Sequence, residues 1–427
     1  MRLPVRALVG AFPGRRARGA AEPAGAARLG ALLARVRTLV LVTGTNGKST
    51  TAHLIEGILA RAGRFPIRNR DGANLVDGLC ATLASARVIG RRPVVLEVDE
   101  GALPEVVPPA RPSLLVVTNV FRDQLDRYGE VDAVAARIRR AVAATPRDCI
   151  LVGNADDPAV ADILLRAGRR ATFFGLDLAQ GGPPGPSADA VLCPRCGESL
   201  TFSRAFLSHL GHYACRRCGF VRPVPGVAAT GTAAPAGAAV GVGDRPMRLP
   251  APGRHSLYNA LAALAAAREL GVPDRVSFRA LASLPPMPGR SEWIAHRGRR
   301  VFLNLVKNPA GFEAAVDALA VVPRPRHVLL LLNDRAADGA DVSWIWDAEF
   351  EMFRGDRVWV GGSRAEALAL RLKYARVAPP LELIRDHGRA LGVAAAATPR
   401  GAPLCVLMNY SSMLDLFGAL RKDLRPA

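Results

Sequence analysis

Three groups of residues in this 427-residue chain have the types and spacing to do chemistry. The first is Thr43-Gly44-Thr45-Asn46-Gly47-Lys48-Ser49-Thr50. Gly44 and Gly47 let the backbone turn so that N–H groups from Thr45 to Thr50 converge on phosphate oxygens, and a following helix adds its N-terminal dipole. Lys48 offers a compact charge to the outer phosphates of a nucleotide, and the Ser49 hydroxyl is a ligand for Mg2+. The second is Glu97, in Pro93-Val94-Val95-Leu96-Glu97-Val98-Asp99-Glu100, a carboxylate at the end of an apolar run and suited to the same magnesium ion. The third is a pair of knuckles, Cys193-Pro194-Arg195-Cys196-Gly197 and Cys215-Arg216-Arg217-Cys218-Gly219. Two C-x-x-C-G turns bring four thiolates around one tetrahedral Zn2+. Four sulfurs leave no coordination position for water, so the site is expected to be structural.

These groups need elements to hold them. Arg37-Thr38-Leu39-Val40-Leu41-Val42 is a short β-branched run that reads as a buried strand, and Thr51 to Ala60 has apolar residues at helical spacing. Pro93 to Val98, Leu114 to Val120 and Ile150 to Gly153 read as further buried strands, each followed by polar residues. Strands alternating with helices predict an α/β fold with a doubly wound, mostly parallel sheet, whose ligands gather at the carboxyl ends of the strands. The Pro/Gly-rich stretch Gly181 to Ser187 breaks the alternation and leads into the cysteine segment, an inserted ribbon over about 190–222. Pro286-Met287-Pro288-Gly289-Arg290-Ser291-Glu292 is a turn-rich linker, after which Trp293 to Ala427 alternates again. The expected division is a basic leader (1–36), an ATP-binding domain (37–290) carrying the zinc ribbon, and a smaller α/β domain (291–427).

Half of the residues are hydrophobic, yet no apolar run is long enough to span a bilayer. The apolar core of the leader, Ala7 to Phe12, is short and followed by arginines, which suits a secretory signal poorly. A cytoplasmic protein is expected. The formal charge is +20, but the arginines are scattered and lack the aromatic interleaving of a single-strand binding face, so no nucleic-acid partner is expected. High Ala, Arg, Gly and Pro together resemble a GC-rich coding bias. Against it the only lysines, Lys48, Lys307, Lys373 and Lys422, are informative, because arginine does not replace lysine at a compact phosphate site.

The glycine spacing in the first motif is shorter than in G-x-x-x-x-G-K-[ST] and resembles the ATP loop of the Mur ligase and folylpolyglutamate synthetase superfamily. Thr118, Asn119, Asp123, Asp126 and Gly129 match that family's T-N-x-x-x-D-H-x-D-x-x-G segment, with Gln124 in the place of histidine. Asn154-Ala155-Asp156-Asp157-Pro158 matches its N-x-D-D-P strand end. Gly253 to Ala263 resembles its G-x-H-N-x-x-N-x-x-A-A helix: His255 and Asn259 match, Ser256 replaces an asparagine, and the resemblance assigns Asn259 to the nucleotide site. Pro286 to Glu292 looks like the P-x-x-G-R-x-E hinge, from which Arg290 would meet the phosphates on closure. Where these ligases hold adenosine with D-Y-A-H-N-P, this chain has Lys307-Asn308-Pro309-Ala310-Gly311-Phe312. That variant, the Leu332 to Asp347 segment and the Asn409-Tyr410-Ser411-Ser412-Met413-Leu414 turn are similar to one branch only, the MurT family, and the resemblance gives ATP contacts to Lys307 and Asn308.

The MurT resemblance implies an ATP-dependent carbon–nitrogen ligase, the synthetase subunit of a glutamine-hydrolysing lipid II isoglutaminyl synthase. Such a subunit activates the α-carboxylate of D-Glu in the stem peptide as an acyl phosphate. It amidates that carboxylate with ammonia from a GatD-like glutamine amidotransferase, its partner in a heterodimer at the inner face of the membrane. Muramyl-peptide ligases use a carbamylated lysine for a second magnesium; with no lysine between Lys48 and Lys307, the central domain here lacks that device. The cysteines outside the knuckles, Cys80, Cys149 and Cys405, are not flanked as G-x-C-x-G, so the glutaminase cysteine and histidine must come from the partner. The family lends that histidine an orienting aspartate, as the third member of a triad does. Asp341 and Asp347 are the catalytic candidates, Asp341 the favoured one because it follows a glycine-bearing loop; either could instead cap a helix beginning at Ser343. Two alternatives stand. An autonomous Mur or folylpolyglutamate-type amino-acid ligase is disfavoured by Lys307-Asn308-Pro309 and by the expected lack of a separate UDP-binding domain. A zinc-ribbon ATPase that regulates through nucleic acid would show steeply salt-dependent binding.

Overall fold

A computed structural model describes residues 23–69, 72–86, 92–123, 131–232, 239–339, 341–379 and 382–423. Gln124, Asp126 and Gly129 of the family-like segment, and the leader up to Glu22, lie outside the described residues.

The first sheet starts with β1 (Leu39–Thr43), β2 (Ile67–Arg68), β3 (Val94–Glu97), β4 (Leu114–Val117), β5 (Ile150–Asn154) and β6 (Ala171–Leu178). After a separate hairpin, β7 (Thr201–Leu207) and β8 (Leu210–Ala214), it is completed by β9 (Val227–Thr232), β10 (Ala239–Val242) and β11 (Arg245–Met247). The spatial order is 11-10-9-6-5-4-1-3-2, parallel from β2 to β9 and antiparallel beyond. β1 lies between β3 and β4, where the winding reverses, and crevices at such points take ligands in open α/β sheets. Register fixes what meets there: Val42 pairs with Glu97 and Thr43 with Val117, so the loop after β1, Glu97 and Thr118 emerge along one edge.

Residues along the strands alternate between two cores. Leu39, Leu41, Leu96, Leu115 and Leu151 face one helical layer, and Val40, Val42, Val95, Val116 and Val152 the other. The helix Pro23–Leu33 joins the first layer, burying Leu29 and Leu33 with Leu79 and Val106, so the end of the stretch read as a leader is part of a core. The helix Arg254–Glu269 runs through the second layer with every residue from Ser256 to Ala267 buried. Its alanines allow that close seating, because they bring little side-chain volume and no entropy cost.

The second sheet has β12 (Arg290–His296), β13 (Arg299–Leu305), β14 (His327–Leu331), β15 (Arg357–Gly361), β16 (Leu383–Ile384) and β17 (Leu404–Met408), in the order 12-13-17-14-15-16. β12 is antiparallel to β13 and the other pairs are parallel. It too is packed on both faces, with Phe302, Leu330 and Leu407 on one and Leu303, Leu329 and Val406 on the other. Among the described residues no helix is long and apolar enough to cross a membrane.

Candidate active site

The loop between β1 and the helix Lys48–Arg61 is shaped by two glycines that no other residue could replace. Gly44 has φ 118°, and a Cβ there would lie 2.4 Å from Thr118 Oγ1. Gly47 has φ 85°, and its Cβ would sit 2.2 Å from Asn259 Oδ1. Three hydrogen bonds then splint the loop to the end of β4: Asn46 N–H donates to Asn119 Oδ1 (2.8 Å), Asn119 Nδ2 to Asn46 O (3.0 Å) and Thr118 Oγ1 to Asn46 O (2.8 Å). Asp157 secures that splint in turn, accepting from Val120 N–H at 2.7 Å while it caps the helix Pro158–Arg166.

Lys48 is buried at the start of its helix. Its Nζ donates to Gly44 O (2.6 Å), Thr45 O (3.3 Å) and Glu100 Oε2 (2.7 Å). Burial disfavours the ammonium, but Glu100, Asp99 and Glu97 outweigh it and hold the pKa above the ordinary lysine value. Glu97 is buried as well. Asn69 clamps its backbone, accepting from Glu97 N–H at 2.8 Å and donating to Glu97 O at 2.9 Å, and Asn74 Nδ2 reaches Oε1 at 3.4 Å. The other oxygen, Oε2, is buried with no protein donor, an orphan acceptor of the kind a cation satisfies. Glu97 and Ser49 line the same cleft of about 800 Å³, so these residues fit a magnesium ion there.

The far wall of the cleft comes from the second sheet. Asn308 caps the helix Pro309–Ala318, accepting from Gly311 N–H at 2.7 Å, and its amide faces that of Asn46. Lys307 pairs with Asp123, and Arg290 Nη2 donates to Ser49 Oγ at 3.3 Å. His255 is packed beside Ser291 Oγ at 3.2 Å, and burial keeps its imidazole below the usual histidine range. Asn259 accepts from Thr51 Oγ1 at 3.4 Å beneath the loop. Apolar residues line the same cleft, among them Leu207, Leu210, Leu249, Pro250 and Ala314. Lys48, Ser49 and Glu97 together with such apolar lining suit a nucleotide laid with its phosphates on the loop.

The structure thus brings Thr45 to Thr50, Glu97, Asn259 and Lys307 around one cleft, with Asn308 against Asn46 at its wall. Asp341 and Asp347 lie elsewhere, at the two ends of a 3-10 turn (Ser343–Trp346) where an α-helix was one expectation. Asp341 is exposed; Oδ1 accepts from Ser343 N–H at 2.7 Å, which holds its carboxyl below the usual range. Asp347 Oδ2 sits 3.3 Å from Arg122 Nη1, while Arg122 N–H donates to Asp189 Oδ2 at 2.8 Å. Sequence reasoning assigned no role to Glu100 or Asn69. Glu100 left a trace, a second carboxylate after the strand; Asn69 left none, since its amide acts through a backbone 28 positions away.

The four cysteines form a separate centre. Their Sγ atoms all lie within 4.8 Å of one another, with Cys193–Cys218 and Cys196–Cys215 at 3.5 Å, close to the about 3.8 Å edge of a tetrahedron of Zn–S bonds. The knuckles repeat each other bond for bond. Gly197 N–H donates to Cys193 O (2.9 Å) and Cys193 N–H to Glu198 O (2.7 Å); Gly219 donates to Cys215 O (3.1 Å) and Cys215 N–H to Phe220 O (2.7 Å). Both glycines have φ 73°. The cluster can hold a metal.

Comparison with known proteins places these features in a family. The profile of the Mur ligase middle domain matches residues 42–181, and that of the MurT ligase C-terminal domain matches residues 305–413. The lipid II isoglutaminyl synthase (glutamine-hydrolyzing) subunit MurT of Staphylococcus aureus (strain COL) is 31% identical over 396 residues, 92% of this chain and 89% of that one. The protein of the same name from Streptococcus pneumoniae (strain ATCC BAA-255 / R6) is 33% identical over 352 residues, 80% of this chain and 78% of its own. Among solved structures, a pseudomurein peptide ligase type C from Methanothermus fervidus superposes with a TM-score of 0.70 at 22% identity, covering 92% of this chain and 80% of that one, a likeness of fold.

Proposed function

This chain belongs to the MurT family of Mur ligases, and from that we propose that it is the ATP-dependent synthetase subunit of a lipid II isoglutaminyl synthase. Its reaction would join ammonia to the α-carboxylate of D-Glu in the stem peptide. The carboxylate attacks the γ-phosphate of ATP to give an acyl phosphate and ADP; ammonia then displaces phosphate and loses a proton. Backbone N–H groups from Thr45 to Thr50 would cradle the phosphates, and Lys48, released from Glu100, would follow the migrating phosphoryl group. Glu97 and Ser49 would hold magnesium, which supplies charge neutralisation at the γ-phosphate when bound. Arg290, Lys307 and Asn308, arriving from the second sheet, would complete the site on closure.

The observation that carries this reading is Glu97 Oε2, buried and without a protein donor in the cleft that Lys48 lines. Ammonia would come from a GatD-like subunit. Asp341 is favoured as the aspartate that orients that subunit's histidine: it is exposed and its bonds are local, to Ser343, whereas Asp347 is engaged by Arg122. Trp346, at the end of the same 3-10 turn, and Leu370 and Tyr374, on the helix Ala365–Tyr374, are exposed large apolar residues, Trp346 set edge-on to Tyr374 at 5.5 Å, a surface suited to a protein partner. Zinc in the cysteine cluster would be structural, and action on lipid II would put the complex at the inner face of the membrane.

The test is amidation of lipid II by this chain purified with and without its glutaminase neighbour. The pair is expected to use glutamine and ATP; this chain alone should use only ammonium. Amidation from glutamine by this chain alone, or ammonium-dependent product without ATP consumption, would overturn the reading.

A further inference from the structure

A second cavity, of about 1340 Å³, opens behind the ATP cleft. Leu249, Pro250 and Ala251 line both, so this short segment is their common wall. One side of the second cavity comes from β11, the segment after it and the start of the helix Arg254–Glu269, with Met247, Arg248 and Arg254; the other lies at the amino ends of strands of the second sheet. Arg300 lies at the start of β13, His327 opens β14, and Pro403 precedes β17. Lys307 and Asn308 follow the opposite, carboxyl end of β13, so the two cavities meet different edges of one sheet.

We propose that this crevice is a second anion site, built for a ligand carrying a diphosphate and distinct from the site that takes ATP. Its charge is one-sided. Among the described residues five arginines line it (Arg248, Arg254, Arg300, Arg324 and Arg326), against a single lining carboxylate, Asp317. Arg254 is paired to Asp317 at 3.4 Å, and Arg324 and Arg326 share Asp356. Among the described residues Arg248 and Arg300 have no carboxylate partner; Arg300 lies over the Trp293 ring at 4.4 Å. Two guanidinium forks left without carboxylates match phosphate oxygens bidentately.

Unmet donors point the same way. His327 is 6% exposed, and neither ring nitrogen has a partner; Arg254 Nε is buried and unpartnered too. Burial and Arg357 hold the His327 imidazole below its usual range, so it stays neutral and offers one N–H. Buried donors left open are costly, and an anion between them and the two forks would satisfy them. The backbone can do little of this work. Pro246, Pro250, Pro252, Pro323, Pro325 and Pro403 line the crevice and have no N–H to give, while their fixed φ keeps the walls stiff. The volume exceeds what one phosphate fills, and the donors outnumber its needs, which favours a diphosphate on an organic body.

The diphosphate could belong to a soluble metabolite or to the headgroup of a polyprenyl lipid, and the test separates them. Inorganic pyrophosphate is titrated by calorimetry into the full chain with ADP already filling the ATP loop. One further site is expected, weakened roughly a hundredfold in Arg248→Glu/Arg300→Glu, at about tenfold per lost fork, with unfolding temperature and ADP affinity unchanged. Arg248→Lys/Arg300→Lys, which keeps the charge and loses the fork, should fall between. A second arm offers vesicles carrying a polyprenyl diphosphate: capture that free pyrophosphate competes away assigns the lipid source, and pyrophosphate binding without capture assigns the soluble one. Absence of pyrophosphate binding beside ADP, or binding indifferent to the arginine variants, would overturn the proposal. Neither arm depends on amidation, so it stands or falls apart from the reading of the ATP cleft.

Discussion

Asn46 and Asn308 meet amide to amide: Asn46 Nδ2 donates to Asn308 Oδ1 at 3.2 Å, and Asn308 Nδ2 returns a bond to Asn46 Oδ1 at 3.1 Å. They are 262 positions apart, and each has a second duty, Asn46 in the loop fixed by Asn119 and Asn308 as a helix cap. Asn308→Asp separates the duties. The aspartate can still accept from Gly311 N–H but repels Asn46 Oδ1. Expected is near-native thermal stability with a KM for ATP raised about tenfold, the cost of one hydrogen bond across the cleft. Asn308→Ala should lose the cap too, about 1 kcal/mol in denaturant unfolding. An unchanged KM in Asn308→Asp would mean that the pair does not contribute to closure.

Lys48→Met is expected to abolish ATP turnover and also to destabilise the chain. It leaves Glu100, 2% exposed, as a buried carboxylate without its cation, a loss of about 3–5 kcal/mol. Lys48→Met/Glu100→Gln should recover most of that stability and none of the turnover. Denaturant unfolding beside an ATPase assay checks both; recovery of turnover would place the lysine outside the chemistry.

Asn69 touches no cleft atom of Glu97, only the backbone beneath it. Asn69→Ala should therefore leave nucleotide binding nearly intact and raise the Mg2+ concentration for half-maximal rate by about 10–100-fold, the usual effect of removing support behind a metal ligand. Glu97→Gln should remove activity at any Mg2+ concentration. Equal Mg2+ curves for Asn69→Ala and the parent would exclude this supporting role.

Asp341→Asn and Asp347→Asn, each assayed with the glutaminase partner, distinguish the two aspartates. Asp341→Asn is expected to lose glutamine-driven amidation and keep the ammonium-driven reaction. Asp347→Asn gives up only a half-exposed contact to Arg122, so both reactions should persist with little change in stability. The opposite pattern would transfer the orienting role to Asp347.

Native mass spectrometry should find one zinc per chain, released by a strong chelator under mild conditions. Cys196→Ser is expected to lower metal occupancy and unfolding temperature together. A chain purified without metal and of unchanged stability would make the four thiols incidental.

The elements nearest the chemistry were legible because their signals are local. A loop with glycines at fixed offsets, a β-branched run before it and paired C-x-x-C-G knuckles each lie within a few residues, and the folded chain puts a tight turn at Gly44, Gly47, Gly197 and Gly219. What escaped was long-range. That Glu100 would take the Lys48 ammonium, 52 positions away, follows from β1 pairing with β3 in one register. Asp156 and Asp157 matched a family-like motif, yet their work is internal: Asp156 gathers Leu176 N–H, Tyr258 OH and Arg222, and Asp157 holds Val120. Nothing in the local pattern distinguishes such carboxylates from ligands. The 3-10 turn at Ser343 was equally hidden, since a short tryptophan-rich stretch has too few residues to show a period.

Glu313 sits on the helix that Asn308 caps, and its carboxylate takes Ser208 N–H at 2.7 Å, from the cysteine-bearing insertion, and the Ser187 hydroxyl, from the stretch that leads into it. A single rod of not quite three turns is therefore pinned at its tip to the phosphate loop and at its waist to the ribbon. If the four thiolates hold a metal, its removal would slacken that rod, and the first symptom would be a higher KM for ATP rather than a collapse of the sheet.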